Sequence, residues 1–223
     1  MKKIATVYTD FPTKFGVPRQ SGLCEELTGK IIFEPEYRVS DAFKGLDGFS
    51  HIWVIWQFSE AVRDSWSPTV RPPRLGGNKR VGVFATRSPF RPNNIGLSCV
   101  KLEKVEHKEN NSPVLYVSGI DMMNGTPVYD IKPYIPLTDC RADATDGFTA
   151  YTKDYSLDVV FCDELLDILP ESKRDAAIKM LALDPRPSYI EDESRIFGVG
   201  FAGYDIKFKV KDGILTVYEV VKL

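Results

Sequence analysis

The sequence has few of the residues that commonly hold metal ions or form disulfides. It contains four cysteines and two histidines among 223 residues. The cysteines are widely spaced with no CxxC pair, which argues against a zinc site and against a disulfide framework. Two histidines are too few for a histidine-rich metal centre. We therefore expect no metal site, and reduced, partly buried thiols at Cys24, Cys99, Cys140 and Cys162.

Long apolar runs are also missing. No stretch approaches the roughly 20 residues of a membrane-spanning helix. The segment Met1 to Asp10 has two lysines but no apolar core long enough for a signal peptide. We expect a cytoplasmic protein that does not enter a membrane. Internal repeats and low-complexity tracts are lacking too. At 223 residues the chain can hold one large domain or one domain plus a small one.

Acidic residues are absent from one region, between Asp64 and Glu103, although the formal net charge of the chain is -2. Because the overall charge does not favour nucleic-acid binding, any RNA affinity must come from a local basic patch. The candidate patch is the segment Ser65 to Val100 within this region, whose basic residues are Arg71, Arg74, Lys79, Arg80, Arg87 and Arg91.

The first two thirds of the chain carry short runs of β-branched and aromatic residues, separated by Gly, Pro, Asn and Asp clusters. Many short strands with frequent turns are typical of a barrel or a sandwich. The apolar run His51 to Trp56 predicts a strand buried on both faces, and Ser40 to Lys44 predicts one helical turn capped by Ser40. The predicted strands are 3–8, 52–58, 81–86, 97–106, 114–120 and 128–131.

The composition changes after Tyr134. Residues 138–153 are small and polar, without periodicity, and suit a linker or a long loop. Helical spacing follows over 164–183, with an interruption near Pro170, and Asp212-Gly213 predicts a hairpin between strands 204–210 and 214–221. The predicted fold is therefore mainly β, with a small β-barrel domain over residues 1–137 and a small α+β C-terminal domain over residues 138–223.

The segment Gly198 to Gly203 matches the dinucleotide-binding pattern GxGxxG. It precedes an alternating strand pattern and not a helix, and too little chain follows for a βαβ unit. We therefore reject a doubly wound nucleotide-binding fold.

The most informative segment is Ala85 to Ser98, which reads ATRSPFRPNNIGLS. Its two prolines fix φ and withhold backbone donors, so it cannot be the middle of a helix or of a central strand. A stiff loop that presents Arg87 and Arg91 suits binding of a carboxylate or phosphate, because guanidinium offers a planar fork of donors. A rigid surface turn with solvated arginines is the alternative interpretation.

The run TRSPFRPNxIG resembles the signature of the TsaA-like family, and further motifs match in order along nearly the whole chain. These motifs lie at 15–20, 45–51, 69–77, 82–96, 120–121, 125–134 and 184–189. The resemblance implies a small β-barrel enzyme that uses S-adenosylmethionine (SAM). It also implies methylation of the exocyclic nitrogen of a threonylcarbamoyl-adenosine beside the tRNA anticodon.

The resemblance also implies a set of cofactor contacts. Arg87 suits the methionyl carboxylate, Glu60 a ribose or amino group, and Asp121 the positive sulfonium. Ser59 departs from the histidine associated with its position. The implied contacts are Pro18, Arg19, Gln20, Ser59, Glu60, Arg87, Leu97, Ile120, Asp121, Gly125 and Thr126.

Asp130, Lys132 and Tyr134 are the predicted catalytic residues. In an extended segment their side chains point to one face, where a solvated outer face is the alternative interpretation. Asp130 or Tyr134 could take the proton of the exocyclic nitrogen, and Lys132 could stabilise the developing anion or lower the pKa of the tyrosine. The predicted tRNA contacts are Arg91 and Asn93 for the threonyl carboxylate and base edge, with Arg71, Arg74, Lys79 and Arg80 for phosphates.

Two other functions stay open from the sequence. One is a barrel that binds RNA or a ligand without catalysis, and the other is a SAM-using enzyme with a small-molecule substrate. We expect a homodimer, because a barrel of this size leaves a shallow site that loops of two subunits could close, and the family resemblance also implies one.

Overall fold

The structure is a computed structural model that describes residues 1–62, 65–72, 75, 79–107, 113–151, 155–187 and 192–223. Six antiparallel strands close into a barrel in the order β1-β2-β7-β6-β3-β8. These strands are β1 (Ala5–Thr9), β2 (Thr28–Phe33), β3 (His51–Gln57), β6 (Ile95–Glu106), β7 (Val114–Ser118) and β8 (Pro127–Pro133). Two short strands, β4 (Thr69–Val70) and β5 (Val81–Gly82), pair with each other outside the barrel.

The barrel interior is built by alternate residues of each strand, as the period of two requires. On β3, Ile52, Val54 and Trp56 are buried, whereas Trp53 and Ile55 are only half-buried. The prediction of a strand buried on both faces is therefore wrong. The apolar residues of β3 face both the barrel interior and an outer surface that this chain covers only in part.

The strand predictions are confirmed for five of the six barrel strands, with ends shifted by a few residues, and β2 was missed. The predicted strand 81–86 is wrong beyond Gly82, because Val83–Ala85 forms a 3-10 turn. A turn is present at Ser40–Phe43, but Val39 occupies its cap position and no side chain caps it. Further 3-10 turns span Pro35–Tyr37, Leu46–Gly48, Ser59–Ala61 and Gly147–Tyr151.

A second sheet follows, in the order β10-β11-β12-β9. Its strands are β9 (Asp158–Val160), β10 (Phe197–Phe201), β11 (Tyr204–Lys211) and β12 (Ile214–Lys222), and the short helices are α1 (Pro136–Asp139), α2 (Asp163–Leu166) and α3 (Glu171–Ala182). The predicted break near Pro170 is confirmed. The predicted β11–β12 hairpin is also confirmed, with positive φ at Asp212 and Gly213. The GxGxxG segment lies along β10 and in the turn into β11, and a strand follows it instead of a helix, in agreement with the rejection of a doubly wound nucleotide-binding fold.

One continuous buried hydrophobic cluster joins the barrel to the second sheet. The rings of Phe11 and Phe201 lie 5.4 Å apart across this junction. Lys173 of α3 forms an ion pair of 2.6 Å with Asp10 just after β1. The loop that follows Asp10 is therefore held between the two parts of the fold. The fold is mainly β, with a barrel followed by a small α+β unit, as predicted.

Candidate cofactor rim and catalytic face

Three long connections meet at one end of the barrel. They are residues 10–27 after β1, residues 58–94 after β3 and residues 119–126 after β7. The antiparallel registers place the ends of β1, β3 and β7 beside the starts of β2, β6 and β8, so every one of these loops leaves from the same edge. We call this edge the rim.

The rim loops contact each other directly. The amide of Gly22 donates to the carbonyl of Gly119 at 2.9 Å. The amide of Cys99, on β6, donates to Ser21 Oγ at 3.1 Å. Arg87 donates from Nη1 to Gln20 Oε1. Segments that are far apart in the sequence are thereby joined around one opening.

Asp121 lies half-buried at this rim. Ser98 Oγ donates to its Oδ1 at 2.6 Å. The pKa of Asp121 is raised to about 6, and burial is the main cause. Burial outweighs three effects that lower this pKa, namely the hydrogen bond from Ser98, hydrogen bonds from the backbone and the positive charge of Arg87. A carboxyl group whose pKa lies this close to neutrality is typical of functional sites.

The remaining predicted cofactor residues lie in the rim loops and on the adjoining strands, in different environments. Pro18 is buried, and Arg19 donates from Nη2 to the carbonyl of Arg186 at 3.4 Å. Ser59 and Glu60 lie exposed in the turn that follows β3. Leu97 is 53% exposed on the outer surface of β6.

Ile120 and Thr126 have buried side chains, and the Thr126 hydroxyl donates to the carbonyl of Met123 at 2.7 Å. Because the side chains of Ile120 and Thr126 pack inside the third rim loop, a ligand at the rim would contact only their backbone atoms. Gly125 has φ +83, a left-handed conformation that favours glycine at this turn.

The signature loop is folded by its own arginine. Arg91 Nη1 donates to the carbonyls of Val83 at 3.0 Å and Thr86 at 2.7 Å, and its guanidinium lies 5.5 Å from the ring centre of Phe84. Arg91 therefore stabilises the loop, a role that its sequence position did not indicate. Asn93 is exposed on the same loop.

The basic patch is solvent-exposed where the structure describes it, at Arg71, Lys79 and Arg80. Arg80 Nη1 donates to Thr69 Oγ1 at 3.1 Å, which ties β4 to the segment before β5. Arg74 lies outside the described residues. Beside the patch, the rings of Trp66 and Phe84 stack 6.0 Å apart and both are exposed.

Asp130, Lys132 and Tyr134 lie on the outer surface of the barrel. Asp130 and Lys132 form an ion pair of 3.0 Å with both side chains largely exposed. The register aligns Leu97 with Ile55 and Ile55 with Asp130, so a cofactor candidate and a catalytic candidate share one row across β6, β3 and β8. With strands about 4.8 Å apart, Leu97 and Asp130 are roughly 10 Å apart.

Tyr134 lies at the other end of this face. Its amide donates to the carbonyl of His51, at the start of β3, and its ring lies 5.8 Å from that of Trp53. Burial raises the pKa of the Tyr134 phenol, and nearby Cys140, Cys99 and Asp139 raise it further. The face thus brings Asp130 and Lys132 near the rim and Tyr134 away from it.

Sequence reasoning missed Ser21, Ser98 and Trp56 as parts of this site. Ser98 and Trp56 are buried, and their spacing is that of ordinary inward-facing strand residues. The buried Ser98 hydroxyl on an apolar face was the one available signal, because buried polar groups need partners.

The donor set at the rim fits SAM. A guanidinium and an amide, from Arg87 and Gln20, suit a carboxylate, and the Asp121 carboxyl suits a cationic group. In the described part of the chain, no group of three or more His, Cys, Asp and Glu side chains could hold a metal ion. The same residues include no helix that is long and apolar enough to span a membrane. A cavity of about 250 Å³ lies between the first rim loop and the end of α3, and Pro18 and Arg19 are among the residues that line it.

Comparison with known proteins covers both parts of the fold. Residues 6–140 match the family model described as the tRNA-methyltransferase O N-terminal domain, and residues 154–223 match that of the TrmO C-terminal domain. An Escherichia coli K12 protein named tRNA (adenine(37)-N6)-methyltransferase is 38% identical over 226 residues, which cover 97% of this chain and 95% of the relative.

Two further matches are similar in extent. RcsF of Pseudomonas aeruginosa PAO1, described as a candidate S-adenosylmethionine-dependent methyltransferase, is 37% identical over 211 residues, covering 91% of this chain and 89% of the relative. The crystal structure of TrmO from Pseudomonas aeruginosa superposes with a TM-score of 0.79 at 31% identity, covering 99% of this chain and 96% of that one.

Proposed function

This chain belongs to the tRNA-methyltransferase O family, and on that premise we propose that it transfers a methyl group from SAM to N6 of the adenine at position 37 of tRNA. The observation that carries the proposal is the rim, where Gln20, Arg87 and Asp121 converge from three separate loops. We also propose a cytoplasmic location, in keeping with a tRNA substrate.

The rim residues suit distinct parts of the cofactor. Bound SAM supplies a methyl group that is activated by a positive sulfonium. Arg87, steadied by Gln20, binds the methionyl carboxylate, and Asp121 faces the cationic groups. Exposed Glu60 reaches the ribose or amino group. The other proposed contacts are Pro18, Arg19, Ser59, Leu97, Ile120, Gly125 and Thr126.

Catalysis requires help for a weak nucleophile, because the adenine N6 lone pair is delocalised into the ring. We assign proton removal to Asp130, which lies in the same row as Leu97. Lys132, ion-paired with Asp130, stabilises the anion that develops. Tyr134 is the third proposed catalytic residue, and it lies at the end of this face that is away from the rim.

The tRNA surface that we propose combines the basic patch with the exposed aromatic pair. Arg71, Lys79 and Arg80 neutralise phosphates, and Trp66 and Phe84 offer a platform on which a base can stack. Arg91 and Asn93 face a threonylcarbamoyl group on the adenine, whose carboxylate suits the remaining guanidinium donors.

We also propose a homodimer. The outer face beside Asp130 carries exposed apolar residues, including Ile95 and Leu97, and Leu137, just after Tyr134, is 90% exposed. A second copy would cover this face and bring its own loops to the site. A monomer mass by light scattering under assay conditions would remove this part of the proposal.

The test is a single-turnover assay with radiolabelled SAM. Purified protein is mixed with tRNA that carries threonylcarbamoyl-adenosine at position 37 or with an unmodified transcript. We expect label in the modified tRNA, and a rate about two orders of magnitude lower for Asp130→Asn or Tyr134→Phe with SAM binding retained.

Other results would replace the proposal. Binding of tRNA without transfer would favour a non-catalytic RNA-binding barrel. Binding of SAM without any affinity for tRNA would favour a small-molecule substrate. Equal methylation of both tRNAs would remove the role given to the threonylcarbamoyl group.

A further inference from the structure

A chain of hydrogen bonds runs from the barrel interior to the rim. Trp56 Nε1 donates to Ser98 Oγ at 2.9 Å, and Ser98 Oγ donates to Asp121 Oδ1 at 2.6 Å. Trp56 and Ser98 are 5% and 1% exposed, so the bond between them is shielded from water. Asp121 is the only member of this chain that belongs to the predicted site.

The direction of the chain is set by chemistry. An indole N–H can only donate, so the Ser98 oxygen must accept from Trp56. The single Ser98 proton is therefore directed to the carboxyl of Asp121. A donor aimed at a carboxylate favours its ionised form and fixes which oxygen remains for a ligand.

Packing holds the start of the chain in place. A Cβ added to Gly96 would lie 2.3 Å from the Trp56 indole, so the ring fills the space that glycine leaves on the paired strand. The ring of Phe58 lies 4.2 Å from that of Trp56 on another side. These two contacts restrict the rotation of the indole and keep its Nε1 directed at Ser98.

We propose that Trp56 and Ser98 are positioning residues, which orient the Asp121 carboxylate toward the rim and keep it ionised for binding the cationic part of SAM. This inference rests on the proposed function, because it assumes SAM at the rim. It goes further in making SAM affinity depend on the protonation state of one carboxyl group.

The groups that face Asp121 set the expected pH range. Burial raises its pKa to about 6, and Arg87 is the charged side chain among those that lower it, beside the Ser98 hydroxyl and the backbone of Ser21. SAM affinity should therefore be full above pH 7 and should fall as the pH drops through about 6. Ser98→Ala removes a bond that favours the ionised form, so the midpoint should move upward.

The experiment measures SAM affinity by calorimetry from pH 5 to pH 8.5, together with the NMR titration of the Asp121 carboxyl carbon in SAM-free protein. For Ser98→Ala we expect both midpoints to rise by about one pH unit. Trp56→Phe should give a smaller rise, because the hydroxyl stays but loses its fixed direction. Ser98→Thr should restore the parent midpoint.

Ser118→Ala is the matched control. Ser118 is also buried, and its hydroxyl donates to a different carboxylate, Glu103 Oε1, at 2.6 Å. This variant loses the same kind of bond and should keep the parent midpoints. Melting curves of all variants show whether each is folded.

The possible outcomes distinguish a failure of the positioning role from a failure of the proposed function. A parent that binds SAM while its Asp121 midpoint is unmoved by Ser98→Ala overturns the positioning role alone. An equal loss of affinity at every pH would make Ser98 merely structural and would overturn it too. A parent that binds no SAM at any pH overturns the proposed function and with it the cofactor role of the chain.

Discussion

At the scale of single residues, Arg87 is an exposed cation of the rim, and a hydrogen bond to Gln20 orients it. Arg87→Ala should weaken SAM binding by roughly 1.5–3 kcal/mol, the range for a hydrogen bond to a charged group. Calorimetry measures this directly. Arg71→Ala removes an arginine of the basic patch and serves as the control, with unchanged SAM affinity expected. Equal affinities for all three proteins would contradict the carboxylate assignment.

The carboxyl group of Asp121 lowers the stability of the folded protein when it is ionised. Its pKa of about 6 in the folded protein lies above the ordinary value of 3.8, because burial disfavours the charge. The ionised group therefore destabilises the fold above pH 6, and this cost disappears as the pH falls toward 3.8, where both the folded and unfolded states bind the proton.

Asp121→Asn should accordingly raise the free energy of unfolding at pH 8 by about 1–3 kcal/mol, since one pKa unit corresponds to about 1.4 kcal/mol. The gain should shrink as the pH is lowered from 7 to 4, and SAM binding should be lost. Urea denaturation at several pH values measures the effect. A variant less stable than the parent at pH 8 would show that the charge is not costly there.

At the scale of elements, the first rim loop depends on contact with the second sheet. Gly16 has φ +91, and a Cβ added there would lie 2.3 Å from Val199 Cγ2 of β10. The loop that carries Pro18 to Gln20 is therefore seated against β10. Its position was not evident from its own sequence, because the contact joins residues far apart in the chain.

Gly16→Ala should lower the free energy of unfolding by about 2–4 kcal/mol, from left-handed strain together with overpacking. Gly22→Ala is the matched control, since Gly22 has φ +78 in the same loop but nothing within 4 Å of an added Cβ. It should cost only the strain, about 1–2 kcal/mol. Adding Val199→Ala to Gly16→Ala should recover part of the difference. Equal effects of the two single variants would mean that the loop is not seated on β10.

At the scale of the whole molecule, charge is distributed unevenly. The formal net charge is -2, yet the exposed residues Arg71, Lys79 and Arg80 lie together beside the signature loop. Binding of tRNA should therefore be steeply salt-dependent in spite of the acidic total, because phosphate contacts release counterions.

Arg71→Glu with Lys79→Glu should flatten the slope of log affinity against log salt by about one for each lost phosphate contact. Filter binding across a salt series gives the slope. Lys209→Glu with Lys211→Glu, on the second sheet, makes the same charge change elsewhere and should alter the slope much less. A parent slope near zero would remove the basic patch from the proposed tRNA surface.

The sequence alone determined much of the local structure. Strand alternation, the break at Pro170 and the Asp212-Gly213 hairpin are local signals, since each depends on propensity and turn chemistry within a few residues. The motifs around the signature loop also indicated the family, which the comparisons confirm. The site residues chosen from those motifs, and the domain division at residue 137, stay predictions.

Only the tertiary structure decided how these pieces meet. Barrel closure pairs β1 with β8 and β2 with β7, and such non-local pairings leave no mark in a local pattern. Closure is what brings Gln20, Arg87 and Asp121 to one rim. Trp56 and Ser98 have the sequence pattern of ordinary core residues. Closure connects them to Asp121 by hydrogen bonds, because inward-facing side chains of a barrel meet in its interior.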